Sequence, residues 1–424
     1  MAKRDLIHAS DLIGYSRLAI AATLGITSVV EKMHANILGS PSPDDAEAPA
    51  PLRGIPGTVY RSVRGVTTLV GGGLDLMLSS AVSEIGQSHS SRQREALLAT
   101  LNGVIGDYLV ATNNPLSISM CMRRNGASLD LRKQALAAAR PKMSSKLLVL
   151  IHGLAMSDLQ WERKGHDHGK ALARDLGYTA VYLRYNSGLH VSSNGRALAD
   201  LLEVLVESWP AALEELVMLG HSMGGLVARS AYHYGKLARH QWTRELRKLI
   251  FLGTPHHGSP LERGGNLLEG ALELSSYSTA LARLGKIRSA GITDLRHGNV
   301  LDEDWRSLDR FAQLGDRRTP VPLPKQAQCY AIAACTSARP GTLSAVVGDG
   351  LVPVSSALGR HSDPRLTLNF AKSRQFVGHG LRHFDLLSDP VVYEQIRKWL
   401  ASPLRTPLRK ERSNASTHRN PGIQ

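Results

Sequence analysis

Residues 219–227 read LGHSMGGLV. Ser222 stands between Gly220 and Gly224, two positions from each. The run ahead of it, ELVML (215–219), reads as a short buried strand. GGLVARSAYHYG (224–235) reads as a helix with Leu226, Val227, Ser230 and Ala231 on one face. The serine therefore falls at a sharp strand-to-helix turn. Side chains at the flanking positions would collide there, and glycine relieves the crowding. The hydroxyl is pushed out at the tip of the turn, at a helix N-terminus whose free N–H groups favour developing negative charge. A G-x-S-x-G turn in this context presents a nucleophile. The plainer reading is a Gly-rich turn with a capping serine, and the rest of the chain has to separate the two.

The surroundings of Ser222 alternate. KLLVLIHGL (146–154), YTAVYLRYN (178–186), LRKLIFLGTP (246–255), AQCYAIAAC (327–335) and SRQFVGHG (373–380) read as strands, and NGRALADLLEVLVESW (194–209) as a helix. Strands separated by helices imply a parallel sheet with crossover connections. Ahead of this region the pattern differs. Residues 1–39 read as helical, and residues 40–57, with five prolines, as a linker. Val63, Val66, Val70, Leu74 and Met77 recur at helical steps, interrupted by the glycines at 71–73. A third helix is expected over 92–110 and a further helical stretch toward Arg140, after a turn at NNPL (113–116). The expected organisation is a helical N-terminal extension (1–140), a catalytic domain (141–401) and a basic tail (402–424). Residues 259–318 are too long for a simple crossover and are expected to form a helical cap, with 266–286 amphipathic.

The chain of 424 residues is long enough for one large α/β domain plus an extension. Its formal net charge of +15 suggests affinity for anionic surfaces, or simply a soluble protein of high pI. No nucleic-acid recognition motif accompanies the charge, so a nucleic-acid partner is not expected. Cys121, Cys329 and Cys335 form no disulfide framework. On one strand, at about 3.3 Å per residue, the last two lie roughly 20 Å apart, too far to bridge. A reducing, cytoplasmic location is expected, with peripheral membrane contact through the extension. The N-terminal residues carry charges where an apolar leader segment would begin. The uncharged run 18–30 is shorter than the about 20 residues of a spanning helix. The apolar segments 18–30 and 63–78 need cover from each other, the catalytic domain, a second subunit or a lipid surface. The extension is expected to be dispensable for the chemistry.

A serine hydroxyl needs a base to take its proton, and the base needs a carboxylate to orient it. In chains with this kind of turn the order is Ser, acid, His. The acid belongs in a loop after a late strand, where VVGDGLVPVSSA (346–357) supplies Asp349. The base belongs between the last strand and the last helix. There FVGHGLRHFDLLSDPVVYEQIRKWL (376–400) offers His383, just before the helix start at Ser388-Asp389-Pro390, and His379 nearer the strand end. His383 is preferred, and His361 is a distant third. Two N–H groups must hold the substrate oxygen. Met223, following the nucleophile, supplies one; Leu154, in the loop after LVLI (148–151), supplies the other. His152 is expected to shape that loop rather than to act in the chemistry.

LLVLIHGL (147–154), LGHSMGGLVAR (219–229), FLGTPHHGSP (251–260), GDGLVP (348–353) and HFDLLSDP (383–390) occur in the order of lipase-like α/β-hydrolases. Over about 146–401 the chain resembles the bacterial esterase/lipase group similar to GPI-inositol-deacylase-type lipases. The resemblance implies an α/β-hydrolase fold, a mostly parallel sheet flanked by helices, with a variable cap after GTPHHGSP. It also implies Ser222, Asp349 and His383 as a triad cleaving carboxylic esters, lipid-like acyl esters among them. Some secreted lipases of this kind bind calcium through an Asp two residues after the catalytic His. Asp385 holds that place, but no second carboxylate in matching context accompanies it, and it is read as a helix lead-in. No H-E-x-x-H pattern is present, and neither metal nor cofactor is expected. A polyester depolymerase or a thioesterase would use the same triad. A lipid-surface binding protein with a decayed hydrolase domain would explain the basic tail and the apolar extension, but decay usually removes one member of the constellation.

Overall fold

The computed structural model describes residues 9–37, 61–70, 72, 75, 91–138, 143–259, 289–306, 316–338 and 348–402. The linker 40–57, the amphipathic stretch 266–286 of the expected cap and nearly all of the basic tail lie outside these residues. Three helices open the chain: α1 (Ala9–Ile37), α2 (residues 61–70) and α3 (Arg92–Ala111). A hairpin follows, β1 (Cys121–Arg124) and β2 (Ala127–Ser128), then α4 (Lys133–Ala138). From there strands and helices alternate: β3 (Lys146–Ile151), α5 (His168–Leu176), β4 (Thr179–Arg184), α6 (Val191–Glu207), β5 (Glu215–His221), α7 (Met223–Leu237) and β6 (Leu246–Leu252). The closing elements are α8 (Ala290–His297), β7 (Gln328–Cys335), β8 (Gln375–His379) and α9 (Pro390–Ala401).

The strands form one eight-stranded sheet in the order β2-β1-β4-β3-β5-β6-β7-β8. From β4 to β8 every pairing is parallel, as the alternation predicts. A parallel sheet covered on both faces needs near-continuous apolar strands. β3 and β5 meet that need: Leu147 to Ile151 and the whole of β5 are buried. Period two then sorts the side chains. Leu147, Val149, Ile151, Leu216 and Met218 pack on one face with Leu198, Leu202, Leu226 and Val227 of α6 and α7. Leu148, Leu150, Val217 and Leu219 pack on the other with Leu172 of α5 and Val392 and Ile396 of α9.

The hairpin β1–β2 corrects the expectation of helix running toward Arg140. Asn125 (φ 54°) and Gly126 (φ 76°) form a two-residue turn with both residues left-handed, the geometry Asn-Gly favours between antiparallel strands. β1 pairs antiparallel with β4, Cys121 opposite Arg184, and Met122 enters the core beneath the sheet. The sheet therefore starts ahead of the boundary expected at 141. Removing everything before Lys142 strips the paired edge from β4 and uncovers its buried neighbours. We expect such a truncated chain to be insoluble on expression; a soluble, cooperatively melting product would show that the hairpin and α3 are dispensable.

Candidate functional site

β5 ends at His221 and α7 begins at Met223, so Ser222 alone makes the turn. Its backbone sits at φ 53° and ψ −125°, a region a non-glycine residue enters only when the surroundings hold it there. Two glycines make that possible. A Cβ on Gly220 would lie 2.7 Å from the Gly225 backbone, and one on Gly224 would strike the carbonyl oxygen of Ile151 on β3. The elbow thus needs Gly220 against its own helix and Gly224 against the neighbouring strand. Ser222 N–H donates to Leu252 O at 2.8 Å, tying the turn to the end of β6.

Asp349 and His383 lie 34 positions apart in the chain and meet at 2.7 Å through Oδ2 and Nδ1, both buried. The other carboxylate oxygen of Asp349 accepts from Leu351 N–H (2.9 Å) and Val352 N–H (2.7 Å), so the loop fixes the carboxylate and presents only Oδ2 to the ring. A carboxylate can only accept, so Nδ1 of His383 carries a proton and donates the hydrogen bond to Asp349. The ring lies beside Gly253, where a Cβ would come within 3.1 Å of Cε1. Gly253 follows Leu252, which holds Ser222, and the ring of His221 lies 4.8 Å from that of His383. Ser222 and the Asp349–His383 pair therefore converge on the carboxyl ends of β5 and β6. Burial, then the nearby His383, drives the His221 imidazole well below its ordinary pKa, so it stays neutral.

The two remaining expected positions flank the serine. Met223 N–H is the first of α7, a group helical geometry leaves without an intrahelical acceptor. Gly153, the residue before Leu154, packs against the serine: a Cβ on Gly153 would lie 3.1 Å from Ser222 Cβ. His152 is fully buried, stacks on Tyr185 at 4.3 Å and donates from Nδ1 to Gly153 O at 2.9 Å. Burial takes its pKa down to about 4, which fits its expected part in shaping the loop. His379 is exposed at the end of β8. His361 pairs with Asp316 (3.2 Å). Asp385 caps the turn before α9, accepting from Arg382 N–H, and pairs with Lys164 at 2.9 Å.

Sequence reading missed the support beneath the Leu154 loop. α3 packs directly on it, with Gly103 so close to Ala155 that a Cβ would sit 2.7 Å from its Cβ. Asn186 donates to Gly106 O (3.0 Å), and Asp107 accepts from Ala290 N–H (3.0 Å). Below, Arg123 of β1 bridges Asp158, at the end of the loop (3.0 Å), and Glu95 of α3 (3.4 Å), while Arg184 of β4 also reaches Glu95 (2.8 Å). Asp158 and Glu95 are both buried, so each depends on its partners. The signal was present: Gly103 and Gly106 lie three apart on α3, one face open to close approach. Gly103→Leu is expected to overpack this contact, at a cost of about 1–3 kcal/mol in stability. A thermal melt unchanged within a degree would show that the loop and α3 are not coupled.

Residues 142–327 match the model of one protein family, the PGAP1-like alpha/beta domain. The match covers less than half of the chain. The matched segment runs from just ahead of β3 to just short of β7 and contains Ser222, Met223, Leu154 and His152. Asp349 and His383 lie beyond it in the chain and reach it through β7 and β8. With its mostly parallel eight-stranded sheet and flanking helices, the chain has the α/β-hydrolase fold. No curated protein matches the chain. Among solved structures it is similar to a Bacillus licheniformis lipase, BlEst2 in mature form, at 20% identity and a TM-score of 0.38, over 60% of this chain and 91% of that one. It is also similar to a lipase-esterase related protein of Clostridium acetobutylicum (12%, TM-score 0.34, 61% and 94%) and to lipase B of Aspergillus fumigatus (14%, 0.36, 77% and 80%). At these identities and scores the likenesses add nothing to the residue-level argument. Among the described residues, no helix is long and apolar enough to cross a membrane, and no group of three or more His, Cys, Asp or Glu is placed to hold a metal ion.

Proposed function

We propose that the protein is a serine hydrolase of carboxylic esters, acting through an acyl-enzyme. The observation that carries this reading is the buried Asp349–His383 pair, 2.7 Å apart, beside a serine held at φ 53°. In this reading Nε2 of His383 takes the proton from Ser222 Oγ as that oxygen attacks the acyl carbonyl. The carbonyl oxygen becomes negative and is met by the N–H groups of Met223 and Leu154. His383, now protonated, gives its proton to the departing alkoxide, and the alcohol leaves. Water then repeats the sequence on the acyl-enzyme, its proton passing to His383, and the acid departs from Ser222. Asp349 keeps its negative charge throughout and stabilises the imidazolium. A buried serine in an elbow has little else to do: its strained backbone is a standing cost that a mere capping residue would not need.

The test uses the full chain with a fluorophosphonate probe and nitrophenyl esters of rising acyl length. Covalent labelling at Ser222 with turnover of at least one ester is expected, and the acyl length of highest kcat/KM reads out the substrate class. Failure to label, with no ester turned over, would overturn the reading.

A further inference from the structure

A second cleft opens near the site. Its volume is about 480 Å³, and three chain segments line it: His257 to Ser259 after β6, Arg296 and His297 at the end of α8, and Pro353 to Ser362 after the Asp349 loop. Five basic side chains meet there, His257, Arg296, His297, Arg360 and His361, and no carboxylate is among the described lining residues. Hydroxyls of Ser355 and Ser362 also border it.

The field behind the cleft has the same sign. Arg229 of α7 is buried, donates to Val321 O (2.8 Å) and meets His256 (3.4 Å). Burial, and then Arg318, pull its pKa down to about 10. Arg318 reaches Nδ1 of His257 at 3.3 Å, which places the ring proton on Nε2, itself buried behind the cleft. Burial, with smaller contributions from Arg318 and Arg229, brings His257 down to about 4, against a backbone hydrogen bond with Gly359 that raises it. Three carboxylates answer part of this positive charge: Asp316 paired with Arg318 and His361, Asp304 near Arg229, and the buried Asp294 near His297. Arg296 and Arg360 remain charged at any physiological pH.

We propose that this cleft binds a phosphate-type oxyanion. The tetrahedral, multiply charged anion matches convergent Arg and His donors from several directions, which a lone carboxylate does not. Its position ties it to the chemistry. The loop 253–259 touches the His383 ring at Gly253 and lines the cleft from His257 onward. The loop carrying Asp349 continues to Pro353, also at the cleft. An anion bound here lies one loop away from the elbow, where it suits the head group of an ester whose acyl end reaches Ser222. Only this assignment to a substrate head group rests on the ester-hydrolase reading; anion binding itself does not.

The test titrates inorganic phosphate into the full-length Ser222→Ala protein by calorimetry, so that binding is read without turnover. Saturable binding is expected, weakened at least tenfold in Arg296→Gln/Arg360→Gln and left unchanged in Arg132→Gln/Lys133→Gln, which removes the same charge from the start of α4. Arg360→Gln alone, at an exposed residue, gives a second reading should the double variant melt early. A second arm compares dihexanoyl phosphatidic acid with dihexanoylglycerol. Tighter binding of the phosphatidic acid than of inorganic phosphate assigns the site to a lipid head group, and equal binding assigns it to a free anion. No saturable binding of phosphate, or equal weakening in both double variants, overturns the proposal. Absence of ester turnover by the native chain, with phosphate binding intact, would instead count against the ester-hydrolase reading.

Discussion

Ser222→Ala is expected to abolish fluorophosphonate labelling and to lower ester turnover by a factor on the order of 10⁶, the scale on which loss of a triad nucleophile is felt elsewhere. The substitution removes one oxygen and leaves the Cβ, so the backbone at φ 53° stays as strained as before and the melting temperature should hardly change. The Asp349–His383 bond and the N–H groups of Met223 and Leu154 remain in place. Residual turnover, about 10³–10⁴ over water, would come from these groups alone. The measurement is a paired one: labelling and kcat/KM on a short nitrophenyl ester, with the thermal melt as control. Labelling that survives would move the nucleophile to another residue.

His383→Ala should do nearly the same damage, because a serine without its base is only an alcohol. His379→Ala, at an exposed position on β8, should leave turnover close to that of the native chain. Asp349→Asn is the more instructive variant, with an expected loss of about 10⁴. Oδ1 of Asp349 accepts from the N–H groups of Leu351 and Val352, and the carbonyl oxygen of an Asn would keep those bonds. Its NH₂ would then face His383. The ring would have to accept at Nδ1 and carry its proton on Nε2, where it can no longer take one from Ser222. The fold should be unchanged. Turnover near native for Asp349→Asn, or a larger loss for His379→Ala than for His383→Ala, would remove the pair from its assigned roles.

Much of this was legible locally. The elbow could be read from five residues because its requirement is local: two positions without side chains around a strained turn. The buried strands could be read from continuous apolar runs, since a parallel sheet leaves neither face to water. Asp349 in its Asp-Gly turn and the histidines before the last helix followed from chain order. The hairpin at 121–128 was legible too, in Asn125-Gly126, but a short strand carrying two arginines looked more like exposed helix than like sheet.

What tertiary structure alone decided is the set of meetings between distant segments. Asp349 meets His383 rather than His379 because β8 ends at His379, at the exposed rim, and the chain turns back before it reaches the carboxylate. Chain position favours His383, in the loop before the last helix, but only the fold brings its ring to the carboxylate. The same holds for α3. Read in sequence, residues 92–111 are a helix in a separable extension. In the fold, Gly103 and Gly106 bring its backbone against Ala155 and Asn186, and Glu95 shares buried arginines with β1 and β4. Periodicity reports which face of a helix is buried and not what buries it, because the partner is chosen by three-dimensional complementarity across long stretches of chain. The sequence by itself determined the chemistry on offer, a serine in an elbow, a carboxylate and histidines in order; only the folded chain determined which of them stand together and what holds the loop beside them in place.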